Sequence, residues 1–196
     1  MTLWQSIDFL QLSENVWSLE GTPADCVRVA MTQLETSFDL VLSGINNGGN
    51  LGSDIYVSGT VAAAREAALF DLPAIAISQH RLRFGEAFDW TNTRQLAADA
   101  LKHCFDKGLK SREVININLP DVSELETSDS GSFPKIEIVD PCPLDPNPRV
   151  AVYDSQPIDG GASLKSIGKY NDRKRTPGHD VETCFSKKVS LTRLSF

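Results

Sequence analysis

The chain of 196 residues has no Lys or Arg before Arg28. A secretory leader opens with basic residues followed by an apolar run, so that pattern is missing and a cytoplasmic protein is expected. No apolar run approaches membrane-spanning length, which gives no basis for a membrane partner. The four cysteines, Cys26, Cys104, Cys142 and Cys184, form no C-x-x-C pair and no clustered metal spacing. They are expected as reduced thiols. Positive charge is scarce: the formal net charge is −7, which argues against duplex nucleic acid as a partner. An acidic chain still binds a small anion where its site is locally positive or holds a metal. Neither common nucleotide loop is present, because no G-K-[ST] follows a glycine-rich stretch and no G-x-G-x-x-G follows a first strand.

What is present reads as alternating strands and helices. Residues 15–19 (NVWSL) predict a strand. In "GTPADCVRVAMTQLE", Thr22 suits an N-cap, Pro23 the first helical position, and Asp25 the acidic first turn. The run "FDLVLS" (38–43) predicts a strand buried on both faces, as in a parallel sheet. A helix follows in "GTVAAAREAALF", a strand in "LPAIAIS" (72–78), a long amphipathic helix over 93–108 ended by Gly108, and a strand in "EVININLP" (113–120). That order predicts a doubly wound α/β core over residues 1–120. After Pro120 the texture changes. "DVSELETSDSGS" reads as an acidic surface loop, and "PCPLDPNP" excludes helix and central strand. "PKIEIVD", "RVAVYD", "GGASLKSIGKY" and "KKVSLTRLSF" predict an antiparallel β extension over 121–196.

The densest signal is "LSGINNGGNLGSDIYVSGT", between an apolar strand and an alanine-rich helix. In open parallel sheets ligands sit beyond the carboxyl ends of the strands, where this loop falls. Its glycines let backbone N–H groups approach a ligand closely. Asn46, Asn47 and Asn50 add neutral polar groups. Ser58, Gly59 and Thr60 open a helix whose free N–H groups favour an anion such as phosphate. A hard metal held through an amide oxygen is a further expectation. The alternative is an ordinary surface loop of Asn/Gly turns.

"GTPADCVRVA", "LVLSGINNGGNLGSDIYVSGTVAAAREA" and "LPAIAIS" together closely resemble the SurE family, the survival-protein 5′/3′-nucleotidases. The likeness is dense over residues 15–80 and returns in "GKYNDRKRTPGHDVETCF" and "KVSLTRL". It implies a three-layer, Rossmann-like α/β fold with a mostly parallel sheet and a C-terminal antiparallel hairpin. It implies metal-dependent hydrolysis of nucleoside monophosphates or other small phosphate esters, with magnesium or manganese as the divalent ion. By that resemblance Asn46 is a metal ligand. Asn50 lies near substrate, Ser58, Gly59 and Thr60 cradle the phosphate, and Thr22 and Asp25 flank the site. It also implies homodimers or homotetramers with exchanged C-terminal arms.

The sequence departs from the family in one place. No Asn-Asp-Asp-Gly motif occurs, so the acidic pair expected to catalyse is absent from these residues and the catalytic residues are unassigned. "MTLWQSIDFLQLSENVW" matches the segment just after the family's metal-binding serine. One Asn amide holds a divalent ion poorly, because hard cations favour carboxylates. The expectation is a chain whose complete form begins upstream; the alternative is a non-catalytic member that binds nucleotide or anion, or only assembles. His80, His103 and His179 are isolated and receive no role. Lys165, Lys169, Arg173, Lys174 and Arg175 cluster in one run, read as a solvated hairpin or as an arm guiding anionic substrate.

Overall fold

The computed structural model describes residue 4 and residues 6–83, 90–123 and 135–195. Most of the predicted acidic loop after Pro120 lies outside them. The chain opens with β1 (Phe9–Ser13) and β2 (Val16–Leu19), paired antiparallel as a separate ribbon. The strand predicted at 15–19 therefore exists but is not a sheet strand of the core, which corrects the doubly wound order. Only two residues separate it from its partner, so local pairing wins over a crossover. Next come α1 (Pro23–Gln33), β3 (Val41–Asn47), α2 (Gly59–Leu69), β4 (Ala74–Gln79), α3 (Thr91–Lys107) and β5 (Val114–Leu119). The C-terminal part adds β6 (Ile138–Val139), the hairpin β7 (Tyr153–Ile158) and β8 (Gly161–Ser166), the short α4 (Asp180–Phe185), and β9 (Val189–Leu194).

The main sheet has the order β3-β4-β5-β9-β6. Strands β3, β4 and β5 run parallel, while β9 returns antiparallel to β5. Strands β6 and β9, both beyond Pro120, thus belong to the same sheet as the α/β core, while β7 and β8 form a second separate ribbon. The strand predicted in "RVAVYD" falls later, as β7.

Helices cover both faces, which makes three layers. On one face α3 contributes Leu96, Ala97, Ala100 and Cys104 to a cluster with Ile75, Ile77, Ile115, Ile117 and Leu191. On the other, Ala63, Ala64, Ala67 and Ala68 of α2 pack with Ala74 and Ala76 of β4. Small side chains on both partners let this helix lie close to the sheet. All six residues of β4 and all six of β5 are buried. By contrast β3 is an edge strand, with Leu42 at 51% exposure, so the predicted burial of 38–43 on both faces does not hold. One face packs on the core and the other side of its ladder has no strand among the described residues.

A buried carboxylate ties the far side of the sheet to α3. Asp140, its side chain 1% exposed, accepts from Arg193 Nε and Nη2 (both 3.1 Å) and from His103 Nε2 (3.1 Å), with Lys107 Nζ at 3.2 Å. Burial alone would raise its pKa. The hydrogen bonds from Arg193, His103 and Lys107 outweigh that and hold it down at about 2. The isolated His103 of the sequence is thus one arm of a structural network.

Candidate functional site

The site is built where β3, β4 and β5 end. Strand β3 carries a bulge: Ser43 faces Ala76 and Asn46 faces Ser78, so Gly44 and Ile45 together oppose Ile77. Gly44 has a φ of 123°, and a Cβ there would collide with the Ile77 carbonyl oxygen. Only glycine fits, and the bulge re-aims the residues that follow. Asn46 Nδ2 donates to the Gly48 carbonyl at 2.7 Å, which commits its amide nitrogen and leaves Oδ1 as its acceptor for a ligand. Asn47 Oδ1 accepts from Arg81 Nη1 at 3.1 Å, and the Gly48 N–H reaches the Gln79 carbonyl at 2.9 Å.

Asn50 turns inward and is 8% exposed. Its N–H donates to Asn118 Oδ1 at 2.8 Å, and its carbonyl accepts from Asn116 Nδ2 at 2.9 Å and Asn118 Nδ2 at 3.0 Å. Its own Nδ2 donates to Ser78 Oγ at 2.7 Å. Two asparagines of β5 therefore grip the loop backbone as a neighbouring strand would. The loop-stabilising role is the one these bonds describe for Asn50.

Two helices begin side by side. Ser58 caps α2, its Oγ accepting from the Val61 N–H at 3.1 Å. Gly59 is exposed and Thr60 half-buried. Their N–H groups fall in the first turn, where no intrahelical acceptor exists. Thr22 caps α1 in a reciprocal box: its N–H and Oγ1–H donate to Asp25 Oδ2 at 2.9 and 2.7 Å, and the Asp25 N–H donates back at 3.3 Å. Asp25, 3% exposed, is thus a structural first-turn charge. A Cβ on Gly59 would stand 3.1 Å from Pro23 Cγ, so the two helix starts abut. Their dipoles bring two positive ends to one place, which suits a compact anion.

A second set of side chains locks the loop from the C-terminal part. Tyr170 Oη donates to the Gly49 carbonyl (3.2 Å) and to Asp54 Oδ2 (2.8 Å). Arg173 donates to Asp54 Oδ2 (2.7 Å) and to the Leu51 carbonyl (3.2 Å). Burial first, then the adjacent Asp54 carboxylate, drives the Tyr170 pKa well up, so the phenol stays a donor. Asp180, fully buried, accepts from the Gly52 and Asp145 N–H groups, both at 2.7 Å. Burial raises its pKa against those bonds. His80 directly follows β4, 2% exposed and stacked on Phe185 with centroids 4.4 Å apart. Both ring nitrogens lack a partner. Burial, opposed by Asp121 and reinforced by Lys187, Arg175 and Arg173, pulls its pKa to about 4, so it is a neutral stacking group at pH 7.

The sequence singled out Asn46, Asn50, Ser58, Gly59 and Thr60, and all five lie at this end of the sheet or on the loop it carries. It missed Ser78, Asn116 and Asn118, whose signal was polar residues inside apolar strands. Asp54, Tyr170, Arg173 and Asp180 carried no local signal as a clamp, because their partners are more than a hundred residues apart. Of the basic run, Arg173 is inside the clamp rather than solvated, and Arg175 lies over the Phe185 ring at 4.6 Å.

Among the described residues no group of three His, Cys, Asp or Glu side chains could hold a metal ion. Asn46 offers one neutral oxygen, and a hard divalent cation needs several oxygens with carboxylates among them. The described residues alone do not fit the ion.

The survival protein SurE family model matches residues 1–133. A protein of Nostoc sp. (strain PCC 7120), provisionally named a 5′-nucleotidase, is 37% identical over 196 residues, spanning 99% of this chain and 80% of the relative. The 5′-nucleotidase SurE of Acinetobacter baylyi is 42% identical over 130 residues, covering 64% of this chain and 51% of its own length. The crystal structure of a SurE protein from Aquifex aeolicus superposes with a TM-score of 0.77 at 24% identity, over 100% of this chain and 75% of that one. That likeness supports the three-layer fold. No helix among the described residues is long and apolar enough to cross a membrane. The loop, the paired helix starts and these matches agree: the chain belongs to the survival protein SurE family.

Proposed function

We propose that the chain is a phosphomonoester hydrolase of the 5′-nucleotidase type, acting on nucleoside monophosphates. The observation that carries this reading is the meeting of the α1 and α2 starts beside the Asn-Gly loop. The first-turn N–H groups of Gly59 and Thr60 receive the phosphate oxygens, and the Ser58 hydroxyl proton remains free to donate while its oxygen caps the helix. Fixed donors of this kind stabilise charge on a phosphoryl group without reorganising. Metal dependence, with magnesium or manganese and Asn46 as one oxygen ligand, belongs to the same proposal. It requires carboxylates beyond those grouped in the described residues, and no step is routed through the ion. Action on 3′-monophosphates is a further part of the proposal, resting on the family resemblance alone.

The absence of an acidic cluster among the described residues favours a second reading, a family member that binds nucleotide without turning it over. One experiment separates them. AMP and adenosine are titrated calorimetrically into the protein, and phosphate release from AMP is followed with and without manganese. AMP binding without adenosine binding, with manganese-dependent release, is the expected result. Binding without release leaves the second reading. No preference for AMP over adenosine removes the phosphate site altogether.

We also infer a homodimer or homotetramer. Every residue of β7 and β8 is exposed, including Ile158 at 58% and Leu164 at 61%. A lone two-stranded ribbon is marginal in water, so a second copy supplies its cover. Within 121–196 the assembly arm is the ribbon at 153–166, since β6 and β9 of the same segment complete the sheet begun in 1–120. Sedimentation of the intact chain and of a form lacking 153–166 tests it, with loss of assembly expected.

A further inference from the structure

A cavity of about 970 Å³ opens between the turn at Gly52–Tyr56 and the foot of the β7–β8 ribbon. Its lining includes Val57, two residues before α2 opens at Gly59. A volume of this order holds a nucleotide-sized ligand.

The charge of the lining runs against that of the molecule. Four cations, Arg149, Lys169, Arg173 and Lys174, face two carboxylates, Asp54 and Asp172, in a chain of net charge −7. Asp54 is already matched: Arg173, its side chain 5% exposed, pairs with it at 2.7 Å. Arg149 stands 4.0 Å from the same carboxylate and lies over the Tyr170 ring at 5.2 Å from its centroid. Arg173 is therefore a fixed part of the wall, while Arg149, Lys169 and Lys174 are exposed at its rim. Val57 and Val152 give the same cavity an apolar side.

A phosphate held at the α2 start would direct the rest of its ester past Val57 into this space. A neutral leaving group makes no use of an excess of cations there. We propose that the cavity is a second anion subsite, and that it recognises phosphomonoesters whose leaving group carries another phosphate, with nucleoside bisphosphates as the type. The proposal rests on the reading of the α2 start as the phosphate receptor. Ammonium groups at the rim bind a second phosphate by charge-assisted hydrogen bonds.

The test is calorimetric and needs no turnover. Adenosine 3′,5′-bisphosphate and AMP are titrated into the metal-free 196-residue protein at low salt. The wild type, the double variant Lys169→Ala/Lys174→Ala and the charge-keeping Lys169→Arg/Lys174→Arg are compared. The bisphosphate is expected to bind about tenfold more tightly than AMP to the wild type and the arginine variant. In the alanine variant that advantage shrinks to less than about twofold, with AMP affinity and melting temperature unchanged. If AMP binds and the bisphosphate has no advantage, or keeps it in the alanine variant, the second subsite is wrong and the monophosphate reading stands. If neither nucleotide binds, both fall. If the two lysines instead serve contact between copies, the alanine variant changes sedimentation and leaves the nucleotide ratio alone, which also overturns the subsite.

Discussion

Strands β5 and β8 are both six residues long, yet every residue of β5 is buried and every residue of β8 is exposed. Polarity does not explain the difference. The buried strand holds Asn116 and Asn118 at 0% exposure, and the exposed one holds Leu164 at 61%. Position among the layers decides burial, and each misplaced residue then has a task. The buried asparagines satisfy the backbone of Asn50, whose loop would otherwise leave unpaired groups next to the core. The exposed aliphatic residues of the ribbon leave apolar surface uncovered, which is the surface the proposed assembly would use.

That contrast predicts large effects inside and small ones outside. The largest is expected at Asp140. D140N keeps the shape but removes the charge that gathers Arg193, His103 and Lys107. Breaking a buried ionic network costs roughly 3–5 kcal/mol, read as a lower urea midpoint. Acid probes the same group. Its folded pKa of about 2 lies below the ordinary carboxylate value of 3.8, so its stabilising share is complete above the ordinary value. The share is lost as pH falls from about 4 toward about 2.

His80 is expected to come next, with a different window. Its pKa falls from 6.5 unfolded to about 4 folded, so the unfolded chain binds the extra proton between those values. Stability drops as pH falls from 6.5 to about 4, by on the order of 3 kcal/mol in all, and flattens below. H80F keeps the stack on Phe185 and should remove that slope. An unchanged slope would show that another group is responsible.

N118A should cost about 2–3 kcal/mol, because the Asn50 N–H loses its acceptor while the carbonyl keeps Asn116. It should also weaken AMP binding, since the loop it grips leads into the Ser58–Thr60 turn proposed to hold the phosphate. Removing residues 153–166 should change unfolding of the remaining chain by less than about 1 kcal/mol while ending assembly. A large loss would mean that the ribbon supports the core, and the contrast would fail. The smallest effect belongs to Lys102, paired with Asp106 at 2.7 Å on a face where both side chains are mostly exposed. K102A should cost about 0.3–0.5 kcal/mol.

The layers were legible where periodicity and composition coincide. Strands β4 and β5 are short apolar runs, α3 shows a clean amphipathic period, and Thr22 and Ser58 announce their helices by side-chain type. The edge position of β3 was not legible, because an apolar run reads alike whether one neighbour or two pair with it. The detached β1–β2 ribbon was missed for a similar reason: strand character does not name a partner. Asn46 and the Ser58–Thr60 turn stood out because glycine and helix-start chemistry are local. The grip of Asn116 and Asn118, and the Asp54–Tyr170–Arg173 clamp, depend on folding distant segments together. Sequence shows those residues only as polar positions without a stated purpose.

The abutment of Pro23 and Gly59 has a consequence for the backbone on either side of it. With 3.1 Å between Pro23 Cγ and any Cβ at Gly59, neither helix start can be re-aimed alone. A Cβ at Gly21 would be as close to Asp25, so the same tightness continues from α1 into the chain that leaves β2. A methyl group at Gly59 would have to displace the Pro23 ring, and one at Gly21 would press on Asp25, so G59A and G21A are each expected to lower the melting temperature, and the two together to lower it further.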